Sequence, residues 1–164
     1  MSDLAATVVK TLSQRTLSLA TAESLTGGLM GATITDVPGA SRVYLGGVVA
    51  YASNMKHVLL GVPDEEIVQH TVVSSEVALS MAIGLQNITG ADYVIAVTGV
   101  AGPEPQAGHR PGEVWIAVLG PRVASFSQFQ QVERHEFSGD REAVRRETVE
   151  QSFRMLLRVV SPVR

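Results

Sequence analysis

Cysteine is absent from this 164-residue chain, which excludes disulfides, cysteine-held zinc and thiol nucleophiles together. Lysine is nearly absent: of 13 basic residues only Lys10 and Lys56 are lysine, the rest arginine. A mid-chain lysine that survives such a bias stands out. There is no surplus of positive charge, the formal net charge being −3, so the chain carries no electrostatic footprint for nucleic acid. No apolar run approaches the roughly 18–20 residues that cross a bilayer. The opening segment MSDLAATVVKTLSQR has polar residues throughout and no apolar h-region, so no signal peptide is read there and a cytoplasmic location is expected. The four histidines, His57, His70, His109 and His135, have no metal-ligand spacing. No Walker A or Rossmann fingerprint occurs. Neither a metal nor a cofactor is called for.

What is present is an ordinary globular balance, with 45% hydrophobic and 18% charged residues, and a length suited to one domain over residues 1–164. Leu4, Val8 and Leu12 recur at helical spacing over residues 3–15. Residues 16–22 alternate as a strand, followed by a turn and a helix from Leu29 to about Thr35, which Pro38-Gly39 ends. A strand over 43–51 contains Gly46-Gly47 as a bulge or close-approach point. A short helix around Asn54–Leu60 ends at Gly61, and Asp64–Gln69 forms one or two further turns. Ser74 or Ser75 caps a helix with Val77, Met81 and Leu85 inward and Gly90 at its end. Residues 92–98 have the near-continuous apolar character of a central strand. A long Gly/Pro loop, 99–112, leads to a strand at 113–119, then residues 124–137, more polar, suit a strand with one exposed face at the sheet edge. Asp140 caps the last helix, whose Val144, Thr148, Met155 and Val159 face inward. Helices and strands interleave, which predicts an α/β fold: a single three-layer α/β/α domain with a mostly parallel or mixed central sheet. Strand order is not legible.

Four segments could carry chemistry. In Thr21-Ala22-Glu23-Ser24-Leu25-Thr26-Gly27-Gly28 a strand gives way to hydroxyls, paired glycines and a helix start. Unpaired N–H groups at such a turn suit an anion or oxyanion, although Ser24 or Thr26 could equally serve only as a helix cap. Lys56 follows a strand and Tyr51; a desolvated lysine beside a serine can act as its base, whereas most lysines are simply solvated. Thr98-Gly99-Val100-Ala101-Gly102-Pro103 follows the most apolar strand, and ligands in open α/β sheets bind beyond the carboxyl ends of strands. The Ser24 and Thr98 loops are therefore expected on one rim. Arg141 and Arg145 share a helix face and suit phosphate, or else pair with Glu142 and Glu147 on a solvated surface.

Together, TAESLTGG (21–28), VPGAS (37–41), GGVVAY (46–51) followed by Lys56 and LLGV, VTGVAGP (97–103) and SGDREAVRR (138–146) occur in the order and spacing of a known family. The chain resembles the C-terminal domain of the CinA (competence/damage-inducible) proteins, which also exists as the stand-alone nicotinamide-nucleotide amidase. The similarity runs from about Leu17 to Val160. It implies an α/β/α domain that hydrolyses nicotinamide mononucleotide to nicotinate mononucleotide and ammonia without a metal. By match to the family motifs, Ser24 becomes the nucleophile, Lys56 its base and Tyr51 a further catalytic residue. Thr26, Gly27, Gly28, Thr98, Gly99 and Gly102 line the ligand pocket, and Arg141 and Arg145 meet the phosphate. The partner implied is a small-molecule nucleotide, with a homodimer as the expected assembly and no membrane or nucleic acid. Leu25 replaces the family's usual cysteine, Tyr-Ala-Ser-Asn-Met-Lys (51–56) replaces a YSNEAK-like segment, and the loop after Gly102-Pro103 lacks the DGG…KPVG pattern. In the expected mechanism, N–H groups of Thr26 to Gly28 hold the oxyanion. The alternative is a catalytically silent nucleotide-binding or partner-binding module of the same fold.

Overall fold

Alternation within the strands decides which helix packs where. The structure, a computed structural model, describes residues 1–122 and 128–160. Among these, α1 (Ser2–Arg15), β1 (Leu19–Glu23), α2 (Leu29–Thr35), β2 (Tyr44–Val49), α3 (Ser53–Leu60), α4 (Asp64–His70), α5 (Ser75–Thr89), β3 (Tyr93–Gly99), β4 (Glu113–Leu119), β5 (Gln130–Glu136) and α6 (Arg141–Val160) follow in order. The strands form one five-stranded sheet in the order β2-β1-β3-β4-β5. β1 is parallel to β2 and β3, whereas β4 is antiparallel to β3 and β5. The sheet is therefore mixed.

Successive side chains of a strand point to opposite faces. Leu19 on β1, Ile95 and Val97 on β3, and Val114, Ile116 and Val118 on β4 pack under α1, α2 and α6. Their neighbours Ala20, Ala22, Val94, Ala96, Ala117 and Leu119 face α3 and α5. The first side is built from bulky branched residues and the second largely from alanine, which lets α5 lie close to the sheet.

Observed ends differ from the sequence reading where a side chain or cap intervenes. Thr16 does not begin a strand. It adopts φ 55° as the C-cap of α1, its N–H bonding to carbonyls of that helix. Ser18 then donates from both N–H and hydroxyl to the Asp92 carboxylate (2.8 and 2.7 Å), so the ladder starts at Leu19. The edge strand expected within 124–137 is β5 at Gln130–Glu136, and residues 124–127 lie outside the described residues. Ser74, not Ser75, caps α5 through Val77 N–H (3.3 Å). Asp140 caps α6 through Ala143 N–H (2.9 Å). No described helix is long and apolar enough to cross a membrane.

Gly84 shows how closely α5 and α3 meet: a Cβ there would overlap the carbonyl oxygen of Leu60, the last residue of α3. An exposed helical glycine gains about 1 kcal/mol on replacement by alanine. Here the sign should reverse, with Gly84→Ala losing about 3 kcal/mol as backbone is forced apart. Urea unfolding measures it, and an unchanged or raised midpoint would show that α3 yields without strain.

Candidate active site

β1 ends at Glu23, and Glu23 and the following Ser24 point to opposite sides of the sheet. Glu23 shares the Leu19 side, and its buried carboxylate accepts the N–H groups of Gly28 (3.0 Å), Met30 (3.0 Å) and Gly31 (2.8 Å) at the start of α2. Ser24, next in the chain, continues the Ala20–Ala22 side, toward α3. There Lys56 Nζ donates to Ser24 Oγ at 2.9 Å and to the Ala50 carbonyl at 3.0 Å. Lys56 and Leu60 form the inner stripe of α3. Lys56 therefore occupies a position that helical spacing would give to an apolar residue. It is 2% exposed, and burial pushes its pKa down from 10.5 to about 8.

β1 and β3 run parallel with Glu23 opposite Val97, so the Ser24 and Thr98 loops emerge on one rim, as expected from the sequence. They bound a cleft of about 330 Å³ lined by Ser24, Tyr51, Lys56, Thr98, the 99–106 loop and Arg141, among others. Thr98 is buried, its hydroxyl donating to the Val72 carbonyl at 2.6 Å. Tyr51 stands at the mouth, and its hydroxyl meets Arg141 Nη2 (2.7 Å), not Ser24 or Lys56. Arg141 also donates to the Gly102 carbonyl at 2.8 Å, and so bridges β2's exit to the β3–β4 loop.

Thr26, Gly27, Gly28 and Arg145 sit behind this cleft and do not line it. Gly27 and Gly28 adopt φ 58° and 95°, the left-handed conformation glycine favours; they shape the turn. Gly28 N–H is taken by Glu23, and Gly27 N–H by the Ser24 carbonyl at 3.0 Å. The expected row of oxyanion donors from Thr26 to Gly28 is thus corrected: Leu25 and Thr26 carry the N–H groups of this turn without a partner among the described residues. Arg145 Nη2 donates to the Thr26 carbonyl at 2.7 Å. Its guanidinium lies in a neighbouring cleft with Met1, Leu29 and Arg146. Arg141 and Arg145, one turn apart, therefore serve different places. Glu23 escaped the sequence reading because its partners lie five to eight residues ahead, across a turn whose path the sequence does not reveal. No three histidine or acidic side chains among the described residues gather to hold a metal ion.

The domain is a three-layer α/β/α fold with a polar cleft at the carboxyl rim of its parallel strands, the place where open α/β sheets bind ligands. The chain belongs to the CinA C-terminal domain family, whose model matches residues 1–160. It is 43% identical over 141 residues to a CinA-like protein of Geotalea uraniireducens, covering 85% of this chain and 32% of that protein. A CinA-like protein of Desulfotalea psychrophila is 41% identical over 152 residues, covering 92% of this chain and 35% of that protein. The chain spans about a third of the length of these curated relatives. Among solved structures, competence/damage inducible protein CihA from Agrobacterium tumefaciens superposes with TM-score 0.90 at 30% identity, covering 98% of this chain and 95% of that one. A CinA superfamily protein from Klebsiella pneumoniae gives 0.90 at 32% identity, covering 97% and 96%.

The lysine's burial has a thermodynamic signature independent of any substrate. Between pH 8 and 10.5 the folded state has lost the Lys56 proton while the unfolded state still holds it, so stability rises with pH across that window. A drop from 10.5 to about 8 corresponds to about 3 kcal/mol of destabilisation, fully present below pH 8. Lys56→Met keeps the packing without the charge. The unfolding free energy of the wild type, minus that of Lys56→Met, should climb by about this amount between pH 7.5 and 10.5. A difference that stays flat with pH would mean that Lys56 is not desolvated in solution.

Proposed function

We propose that the domain is an amidohydrolase that converts nicotinamide mononucleotide to nicotinate mononucleotide and ammonia, with Ser24 as nucleophile and Lys56 as its base. The observation that carries this reading is the 2.9 Å contact between a buried lysine and a serine opening on the cleft. The substrate follows from the family resemblance of the motifs that build the site.

Neutral Lys56 accepts the hydroxyl proton of Ser24 as Oγ attacks the carboxamide carbon. The N–H groups of Leu25 and Thr26, which have no partner among the described residues, are the backbone donors this turn leaves for the oxygen that gains charge, a contribution of about 3 kcal/mol where such a donor is well aimed. Lys56 then passes its proton to the departing amine, which leaves as ammonia. Water enters, gives a proton to Lys56 and adds to the acyl carbon. Collapse releases the carboxylic acid as the Lys56 proton returns to Ser24 Oγ, and the acid then gives its own proton to solvent. Arg141, which lines the cleft, takes the 5′-phosphate. Tyr51 orients that guanidinium through its hydroxyl.

Purified protein should release ammonia from nicotinamide mononucleotide, at a rate that rises roughly tenfold per pH unit below about pH 8, as Lys56 loses its proton, and levels above it. Ser24→Ala and Lys56→Ala should each lower kcat by about a thousandfold or more. The double variant should be little slower than the worse single, as for groups acting as one unit. Full turnover by Ser24→Ala would discard the covalent route. Tight nucleotide binding with no ammonia from the wild type would favour a silent binding module.

A further inference from the structure

The loop between β3 and β4 forms the outer wall of the cleft, and it is where the sequence departs from the family pattern. Its tip is a one-rung hairpin. Gln106 N–H donates to the His109 carbonyl (3.1 Å) and His109 N–H to the Gln106 carbonyl (2.9 Å). Ala107 and Gly108 between them adopt φ 50° and 81°, the left-handed pair of a tight hairpin turn. This turn sends the His109 side chain back to the body of the domain. Its Nε2 lies 2.7 Å from Thr71 Oγ1 and its Nδ1 3.0 Å from Glu113 Oε1. Arg134 Nε donates to the same Glu113 oxygen at 3.2 Å.

The two segments that His109 brings together both abut the cleft. Thr71 immediately precedes Val72 and Val73, which line it, as do Glu104, Pro105 and Gln106 just before the hairpin tip. Thr71 itself is held at φ 66°, ψ 167°, a conformation nearly confined to glycine and sustained in a β-branched residue only where its surroundings enforce it. The imidazole is mostly buried, with 21% of its side chain exposed. In neutral form Nδ1–H donates to Glu113 while Nε2 accepts from the Thr71 hydroxyl.

We propose that His109 is a positioning residue: by tying Thr71 to Glu113 it fixes the 103–106 wall against the 71–73 segment and sets the width of the ligand cleft. Glu104 and Gln106 have no side-chain hydrogen bond among the described residues, so they are the groups this wall presents to a ligand. The tie touches neither Ser24 nor Lys56. Its loss acts on binding and leaves the chemical step alone.

The kinetic arm of the test rests on the amidase reading; a second arm does not. In the first, His109→Ala and Thr71→Val should each raise KM for nicotinamide mononucleotide about tenfold, the equivalent of one good hydrogen bond, with kcat changed less than about twofold. The double variant should match the singles, and His109→Gln, which keeps a polar group near Thr71, should recover most of the affinity. In the second arm, backbone amide exchange over residues 100–106 should quicken in His109→Ala and Thr71→Val, while α5 keeps its protection. If the wild type shows no turnover, the amidase reading falls and the exchange arm alone decides. Unchanged exchange over 100–106 would overturn the proposal. So would a fall in kcat at constant KM.

Discussion

An ammonium group held away from water must find its partners inside the protein, and the arrangement of this domain's rim follows from satisfying Lys56. It has two hydrogen-bond acceptors, the Ser24 hydroxyl and the Ala50 carbonyl, and neither is charged. Burial without a counter-ion favours the neutral amine. The same choice weakens the fold at neutral pH, and under the proposed mechanism it leaves the lysine free enough of its proton to serve the neighbouring hydroxyl. An aspartate in place of Ser24 would stabilise the ammonium and abolish that property. For the lysine to reach its place, α3 must sit against the alanine-rich side of the sheet, with β2 delivering Ala50 at the right height.

The second constraint is that Glu23 and Ser24 are consecutive. Strand geometry separates them onto opposite sides of the sheet: the carboxylate goes to the start of α2 and the hydroxyl to α3. Glu23 thereby satisfies three of the N–H groups that a helix start leaves open, and it anchors the turn from which Ser24 projects. The dipole at that helix start is consequently met from within the protein and is not left for a ligand. Gly31 completes the fit. A Cβ there would fall 2.7 Å from the Tyr44 hydroxyl, with the Glu23 carboxylate already in ordinary contact.

Much of this was legible in the residues. Leu29–Thr35 and Glu113–Leu119 appear where periodicity and turn residues put them, because in each case local pattern and tertiary packing agree. Lys56 was conspicuous as a lysine in an arginine-biased chain, whereas its place on the inner stripe of α3 with Leu60 came only with the fold. What stayed hidden depends on contacts between distant segments. The strand order, the capture of Gly28 N–H by Glu23, and the separation of Arg145 from the cleft by its bond to the Thr26 carbonyl have no local signature. His109 was read only for metal spacing. Its partners, Thr71 and Glu113, are brought to it by the fold of a loop whose Gly and Pro content suggested importance but not shape.

The mixed sheet has a consequence for how such a domain can change. β3 and β4 are antiparallel neighbours, so the segment joining them leaves and re-enters on the same rim without a crossover helix, and beyond the buried Val100 and Ala101 its 103–112 stretch adds no residue to either apolar layer. Lengthening or recoding it disturbs little of the core, because doubling a flexible connection costs only about 0.6 kcal/mol in closure entropy. Ser24 and Lys56, by contrast, arise from the parallel half, where every shift of a strand moves a helix. Ser24 and Lys56 and the wall that faces them thus belong to regions with different tolerance for mutation, and the wall can be recoded while the buried pair stays still.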